Sequence, residues 1–178
     1  MILFGYILII NHDTFTRRMV GTMARTNKTW NEKLYVKKDL PKLVEMDEKL
    51  EKRFGPGTMV VPSPLEVDEI MQSVGPGHLI TTDRIRRKLA EKHGTNTACP
   101  LCTGLFAKIA AFAAEENREK GEKVITPYWR TVKSSGELNE KFPGGIDQQK
   151  WLLENEGVVV IKKGKKYLVE NYEQYIQE

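Results

Sequence analysis

Cysteine and histidine are scarce in this sequence, which has two cysteines and three histidines among 178 residues. Two cysteines cannot build a disulfide framework, and the CxxC spacing of Cys99 and Cys102 is too tight for an ordinary structural bridge. A reducing cytoplasm is therefore the expected location. A zinc site needs two ligands besides this pair, and only the scattered His12, His78 and His93 offer imidazoles. We expect no metal and no cofactor.

Long hydrophobic runs are also absent. Residues 1–10 form a short apolar run, whereas a bilayer span takes roughly 20 apolar residues. The run lacks the basic leader and the cleavage site of a signal peptide. The stretch that follows has no apolar period, and the chain from Met23 onward reads as a normal start. We therefore expect residues 1–22 to be a disordered or mis-called extension, and we expect no membrane partner.

The charge is mildly basic, with a formal net charge of +4 and a pI near 9.0. This charge permits a polyanionic partner without demanding one. Apolar residues recur at helical spacing from Asp39 to Phe54, which predicts one helix ended by the Gly55-Pro56-Gly57 turn. Residues 23–62 are accordingly expected to form an N-terminal helical segment. It ends in a short apolar run at 58–61 that could be a strand.

After residue 62 the sequence contains signals for the starts of three helices. Ser63 and Glu66 form a capping box ahead of an apolar stripe. The segment 81–83 starts a basic helix, 84–92, and Gly94 follows its end. Asn96 or Thr97 is expected to cap a third helix, which directs five side chains inward: Leu101, Leu105, Phe106, Ile109 and Phe112. Two helices joined by a short turn with glycine make a helix-turn-helix candidate.

The C-terminal part predicts a helix from Ile146 to Glu156 and two short strands, 158–161 and 167–169. The strands flank a glycine turn set among four lysines, which is typical of the wing of a winged helix. Such lysines also occur as a solvated edge that discourages aggregation. The predicted fold is mainly α with a small β hairpin. It is a winged helix-turn-helix domain over residues 63–178 with an N-terminal helical extension.

Three segments carry a more specific pattern: TPYWRTVKSSGEL at 126–138, PGGI at 143–146 and KWLLENEG at 150–157. They resemble the active-site region of the O6-alkylguanine-DNA alkyltransferases, whose pattern is Pro-Cys-His-Arg-Val-Val, Ser-x-Gly, Gly-Gly and Lys-x-x-Leu-Leu-x-x-Glu-Gly. Upstream, EVDEIMQSVGPG at 66–77 and TTDRI at 81–85 are similar to the helix, turn and helix start of that family. The likeness runs from about Leu65 to about Val160.

The departures from the family decide the expected chemistry. Alkyl transfer needs a thiolate, a histidine and a buried glutamate. Tyr128 stands at the position of the cysteine and Trp129 at that of the histidine, while Glu156 is retained. A buried phenol has a pKa far above neutral, so we expect no alkyl transfer and no enzyme activity. The chain resembles the alkyltransferase-like proteins, which bind alkylated DNA, flip the lesion and recruit repair factors. An aromatic ring here could stack on the extruded base.

The resemblance implies a degenerate lesion pocket and a DNA-binding surface. The family's phosphate-turning tyrosine falls on Thr82, its intercalating arginine falls at about Thr97, and its pocket tyrosine and serine fall on Phe142 and Pro143. The predicted pocket residues are Pro127, Tyr128, Trp129, Arg130, Phe142, Pro143, Gly144 and Glu156. The predicted DNA contacts are Thr81, Thr82, Arg84, Arg87, Thr97, Ala98, Lys133, Ser134, Lys162, Lys163 and Lys165. The small-residue face of the third helix, with Ala98 and Gly104, would permit close approach to the minor groove.

Structural interpretations remain open beside these. The segment 127–130 could be core, since Tyr and Trp bury well when their polar atoms find partners. Arg130 would then pin its loop by hydrogen bonds to carbonyls, and the basic helix 84–92 would be a solvated face. A thioredoxin-like role for the CxxC pair would require a strand leading into it and a βαβ frame, and neither is predicted.

Three hypotheses follow. The first is a non-catalytic protein that binds double-stranded DNA, with a repair protein as a further partner and no small-molecule substrate. The second is a protein-interaction module on a degenerate scaffold that has lost DNA binding. The third is an enzyme that uses Cys99 or Cys102 as its nucleophile.

Overall fold

The computed structural model describes residues 27–36 and 39–177, and over these residues the chain is mainly helical with three small sheets. The helices are α1 (Trp30–Leu34), α2 (Glu48–Phe54), α3 (Pro64–Gln72), α4 (Thr82–His93), α5 (Pro100–Glu119) and α6 (Gly145–Asn155). The strands are β1 (Lys42–Glu45), β2 (Thr58–Val61), β3 (Ile80–Thr81), β4 (Thr97–Ala98), β5 (Thr131–Val132), β6 (Val160–Lys163) and β7 (Lys166–Val169). The predicted extension, residues 1–22, lies outside the described residues.

The segment before Ser63 is not wholly helical, and the prediction of one helix from Asp39 to Phe54 is wrong for its first half. Lys42–Glu45 is instead strand β1, which pairs antiparallel with β2. Its side chains alternate, with Leu43 exposed and Val44 buried, as the period of two in a strand requires. Only after Asp47, whose carboxylate caps the first turn, does helix α2 begin. Pairing with β2 and the position of this cap outweigh the helical spacing of the apolar residues.

Two predicted helix starts are confirmed. Ser63 and Glu66 form a reciprocal capping box at the start of α3. Thr81 caps α4, since its hydroxyl accepts a hydrogen bond of 3.2 Å from the backbone N–H of Arg84. Gly94 caps the C-terminal end of helix α4, and its φ of 63° lies in the left-handed region that glycine adopts without strain.

The long helix α5 packs against α1 and α3 at the centre of the main core. The prediction that Asn96 or Thr97 caps it is wrong, because Thr97 and Ala98 form β4, which runs parallel to β2, and Cys99 is the cap. With this start, Phe106 and Ile109 are buried but Leu101, predicted to point inward, is 54% exposed. No helix in the described part of the chain is both long and apolar enough to cross a membrane.

A second, smaller core lies under the C-terminal part of the chain. This core joins α6 to the hairpin of β6 and β7, and the hairpin turns at Gly164 as predicted. The buried residues of this core are Leu79, Val132, Leu138, Leu153, Val158 and Val169. Strand β3 pairs in parallel with β5. This pairing places the start of α4 beside the loop that follows β5.

Candidate functional site

Tyr128 lies in a short 3-10 turn, Tyr128–Arg130, directly before β5. Its side chain is 0% exposed, and its hydroxyl donates a 2.6 Å hydrogen bond to Glu115 Oε1 on α5. The ring meets Trp129 and Phe142 edge to face, with centroids 5.5 Å and 5.7 Å away. Burial and the hydrogen bond to Glu115 raise the pKa of the phenol. The expectation that Tyr128 stacks on an extruded base is wrong for this structure, because the ring is fully buried.

Glu156 gathers the polar groups of the same turn. It accepts hydrogen bonds from Trp129 Nε1 at 2.8 Å, from Arg130 Nε and Nη2 at 2.9 Å and 2.7 Å, and from the backbone N–H of Gly77 at 3.1 Å. Arg130 also donates to the carbonyl of Val74. Burial would raise the pKa of Glu156, but these hydrogen bonds outweigh it and lower the pKa. The carboxylate therefore holds the turn to the loop that precedes β3, which fits the structural interpretation of Arg130.

The remaining predicted pocket residues are Pro127, Phe142, Pro143 and Gly144. Pro127, Phe142 and Pro143 are buried. Gly144 is exposed and precedes α6 with a φ of 67°, and a Cβ there would lie 2.4 Å from the Cβ of Gln148. Seven of the eight residues are thus buried or half-buried and form a packed cluster, whereas Gly144 is exposed and Pro127 also borders a separate cavity of about 370 Å³. The prediction that the eight residues line one lesion pocket is wrong in this respect.

An open groove of about 570 Å³ lies beside this cluster, between the starts of α4 and α5 and the loop after β5. Its lining residues are Thr82, Pro100, Leu101, Gly104, Leu105, Lys108, Lys133, Asn139, Glu140 and Lys141. Of the predicted site residues, only Thr82 and Lys133 are in this set. Gly104, which was expected to permit close approach, is in the groove, whereas its expected neighbour Ala98 is buried.

The loop after β5 forms one wall of the groove and is held in place by Gln149, which is fully buried on α6. Its side-chain oxygen accepts a 2.7 Å hydrogen bond from the backbone N–H of Asn139. Its amide donates to the carbonyls of Trp129 and Thr131 at 3.0 Å and 2.9 Å. One buried amide therefore positions both the aromatic turn and the loop. Gln149 was not among the predicted site residues, since a lone glutamine on a helix carries no signal of burial.

Lys133 lies between two carboxylates, with Nζ 2.9 Å from Glu137 Oε1 and 2.6 Å from Glu140 Oε2. Burial would lower the pKa of Lys133, but its hydrogen bonds to Glu140 and Glu137 raise it. Lys166 on the hairpin also contacts Glu137, at 2.7 Å. The positive charge of Lys133 is already balanced by these two carboxylates. This pairing argues against the prediction that Lys133 contacts a DNA phosphate.

The other predicted DNA-contacting residues fall into buried, half-buried and exposed groups. Thr81, Thr97 and Ala98 are buried, so their predicted contact with DNA is wrong in this structure. Thr82 and Ser134 are brought together, with their hydroxyl oxygens 3.4 Å apart. Arg84 is half-buried. The exposed set comprises Arg87, Ser134, Lys162, Lys163 and Lys165.

The hairpin is attached to the groove loop through the backbone. The N–H of Leu138 donates to the carbonyl of Tyr167 at 2.9 Å, and the N–H of Val169 donates to the carbonyl of Gly136 at 3.0 Å. The lysine-rich hairpin therefore adjoins the loop that lines the groove.

Both cysteines are 0% exposed. The backbone N–H of Cys102 lies 3.3 Å from Cys99 Sγ, and the hydrogen bond between the thiols, together with burial, raises the pKa of Cys102. Strand β4 does lead into Cys99, contrary to the sequence-based expectation. Among residues 27–36 and 39–177, no group of three or more His, Cys, Asp or Glu side chains is placed to hold a metal ion.

Comparisons with known proteins give two similar structures. No family model matches the chain, and neither does any curated protein. S. pombe Atl1 in complex with damaged DNA containing O6-carboxymethylguanine is 17% identical, with a TM-score of 0.47, over 65% of this chain and 94% of that one. S. pombe ATL in complex with DNA is 18% identical, with a TM-score of 0.46, over the same shares of the two chains. The chain is thus similar to structures of the S. pombe Atl protein.

Proposed function

We propose that this protein binds double-stranded DNA without covalent chemistry, in the manner of an alkyltransferase-like protein. In this proposal α4 and α5 are the helix-turn-helix pair and the β6–β7 hairpin is the wing. The groove between the starts of these two helices and the loop after β5 receives an extruded base. The S. pombe protein is in complex with DNA in both similar structures. The proposal for this chain rests on features of its own surface.

The groove carries the proposal. Its volume of about 570 Å³ is within the roughly 300–1,000 Å³ of sites that hold small organic groups. Its apolar lining includes Pro100, Leu101 and Leu105, and its rim includes Lys108 and Lys141. Apolar side chains suit the faces of bases, and lysines suit the phosphates beside them.

Leu101 has a particular place in this proposal. The family's intercalating arginine was expected at about Thr97, which is buried in β4. The exposed side chain at the start of α5 is instead Leu101, which lines the groove. Proteins that open a base stack often insert an apolar wedge such as leucine, so Leu101 is suited to fill the gap that an extruded base leaves.

The absence of covalent chemistry is supported by the enclosure of the candidate nucleophiles that the sequence analysis singled out. Tyr128, Cys99 and Cys102 are each 0% exposed. A buried thiol or phenol with a raised pKa is mostly protonated at neutral pH and is a poor nucleophile. The hypothesis of an enzyme that uses either cysteine therefore has no support from the geometry.

The experiment is a fluorescence-anisotropy titration of two duplexes of one sequence, with and without an O6-alkylated guanine, at two salt concentrations. We expect binding that weakens with salt. Replacing Lys108 and Lys141 by Gln should lower the affinity and reduce the salt slope by about 0.9 for each phosphate that is no longer neutralised. Lys49→Gln with Lys52→Gln is the charge-matched control, since both lysines are exposed on α2 and do not line the groove.

Equal affinity for the two duplexes would reject recognition of the alkylated guanine but would still support DNA binding. The second candidate, a protein-interaction module, is favoured by one observation: Tyr128 fills the place where the family holds its reactive side chain. Failure to bind either duplex at low salt would reject the proposal in favour of this module.

A further inference from the structure

The groove has one chemical feature that phosphate binding does not explain. Its lining contains three lysines, Lys108, Lys133 and Lys141, and a single carboxylate, Glu140. Phosphates accept hydrogen bonds and carry negative charge, so a carboxylate in a phosphate-binding surface is repulsive. Glu140 therefore needs a role of a different kind.

Glu140 is held in place and ionised. Its Oε2 lies 2.6 Å from Lys133 Nζ, and the adjacent backbone at Asn139 is fixed by the buried Gln149. Hydrogen bonds from Lys133 and from its own backbone N–H lower the pKa of Glu140. At neutral pH the side chain is thus an acceptor only, in a loop whose position is already set.

The carboxylate also keeps accepting capacity. An ionised carboxylate offers about four lone-pair sites. Lys133 and the backbone N–H of Glu140 itself occupy two of them, and 55% of the side chain is exposed. On DNA the hydrogen-bond donors are the N–H groups of the bases, since phosphate oxygens accept. Glutamate and aspartate read cytosine through its amino group by this chemistry.

We propose that Glu140 makes the groove selective for an extruded base that carries an exocyclic amino group, by accepting a hydrogen bond from that group. Guanine, adenine and cytosine belong to this class, and thymine does not. This inference rests on the proposed function, since it requires a base in the groove. The base would lie against Leu101 and Leu105, with its amino edge towards the loop.

A purely structural role for Glu140 would be to neutralise Lys133. Glu137 already does this, because it contacts Lys133 at 2.9 Å from outside the groove. Glu137 is therefore the matched control: each carboxylate is a partner of Lys133, but only Glu140 lines the groove.

The test uses duplexes of one sequence with a single bulged nucleotide, in pairs that differ by one amino group. Guanine is compared with inosine, and adenine with unsubstituted purine, by anisotropy at one salt concentration. We expect loss of the amino group to weaken binding by the wild-type protein about tenfold, the size of a hydrogen bond to a charged group. Glu140→Ala should bind both members of each pair equally, and Glu137→Ala should keep the preference.

The outcomes separate this inference from the proposed function. Equal wild-type affinity for guanine and inosine, with salt-dependent binding retained, would overturn the selectivity of Glu140 and leave DNA binding intact. Loss of preference in both alanine variants would assign the effect to the charge of Lys133 and overturn it as well. Binding to no duplex would overturn both proposals. Thermal unfolding of each variant checks that it is folded.

Discussion

Tyr128 and Glu115 share a 2.6 Å hydrogen bond inside the protein, with the phenol as donor and a carboxylate of α5 as acceptor. Tyr128 stands where the similar alkyltransferase motif has its nucleophile. In this structure its side chain connects the 3-10 turn to the central helix α5. Aromatic rings from Trp129 and Phe142 complete the enclosure. Tyr128 is thus part of the core.

Tyr128→Phe tests the value of this bond. The substitution removes the hydroxyl while keeping the ring, so we expect a loss of about 1.5–3 kcal/mol in the free energy of unfolding, as for a hydrogen bond to a charged group. Urea unfolding followed by circular dichroism measures it. Tyr167→Phe is the control, since Tyr167 is only half-buried on the hairpin. If Tyr128→Phe were as stable as the wild type, the bond would contribute nothing.

Local signals at particular residues predicted much of the fold. Ser63 with Glu66 and Thr81 mark helix starts by side-chain caps, which depend on a few neighbouring residues, and both are present. The hairpin around Gly164 is present for the same reason. By contrast, β1 and β4 exist because each pairs with β2. Pairing between distant segments leaves little trace in such short stretches of sequence.

The site was predicted less well than the fold, for a related reason. The motif drew attention to the segment around Tyr128, but it could not show that the ring points into the core towards Glu115, which is 13 residues away in the chain. The burial of Gln149 and the pairing of Lys133 with Glu140 also depend on tertiary contacts. Exposure at Leu101 follows from a helix that is capped by Cys99 and so begins later than predicted.

Glu156→Gln should be strongly destabilising. Glu156 and Arg130 form a mostly buried ion pair at 2.7 Å, and removal of one charge leaves the guanidinium without its partner, which costs about 3 kcal/mol or more. Glu154→Gln, in the last turn of α6 just before Glu156, is a control, because the contact of Glu154 with Lys150 is 3.8 Å long and exposed. We expect that variant to lose less than about 0.5 kcal/mol. Similar unfolding midpoints for the two variants would contradict the structural role of Glu156.

Neither cysteine should react in the folded protein. Cys99 and Cys102 are fully buried, so we expect an aromatic disulfide reagent to label neither thiol in native buffer and both of them in denaturant. Incubation with duplex carrying a radiolabelled alkyl group on guanine should leave no label on the protein. Transfer of label, abolished in Cys99→Ser or Cys102→Ser, would establish the nucleophile that the geometry disfavours.

Glu66 predicts the acid sensitivity of the fold. Burial would raise its pKa, but hydrogen bonds from the Ser63 backbone, Lys92 and His93 outweigh it and lower the pKa from 4.5 to about 2. A group whose folded pKa lies below its unfolded value stabilises the fold fully above the unfolded value. That stability is lost as the pH falls from about 4.5 towards 2.

The corresponding measurement is the unfolding free energy of wild type and Glu66→Gln between neutral pH and pH 2. We expect the wild type to be more stable at neutral pH by about 3 kcal/mol, and the difference to shrink through the acid range. Glu69→Gln, exposed on the same helix, should follow the wild type. A difference that stays constant with pH would show that the ionised form of Glu66 is not the stabilising one.

Leu101 provides the most direct separation of stability from binding. Because the side chain is 54% exposed, Leu101→Ala should change the unfolding free energy by no more than about 0.5 kcal/mol. If the leucine contacts the bases of an opened duplex, the same change should weaken DNA binding several-fold, and Leu101→Asp should weaken it further by adding a negative charge. Val124→Ala is the control, since Val124 is exposed and lies outside the groove. The affinities are compared by anisotropy on one duplex, and unchanged affinity in Leu101→Asp would remove the groove from the DNA interface.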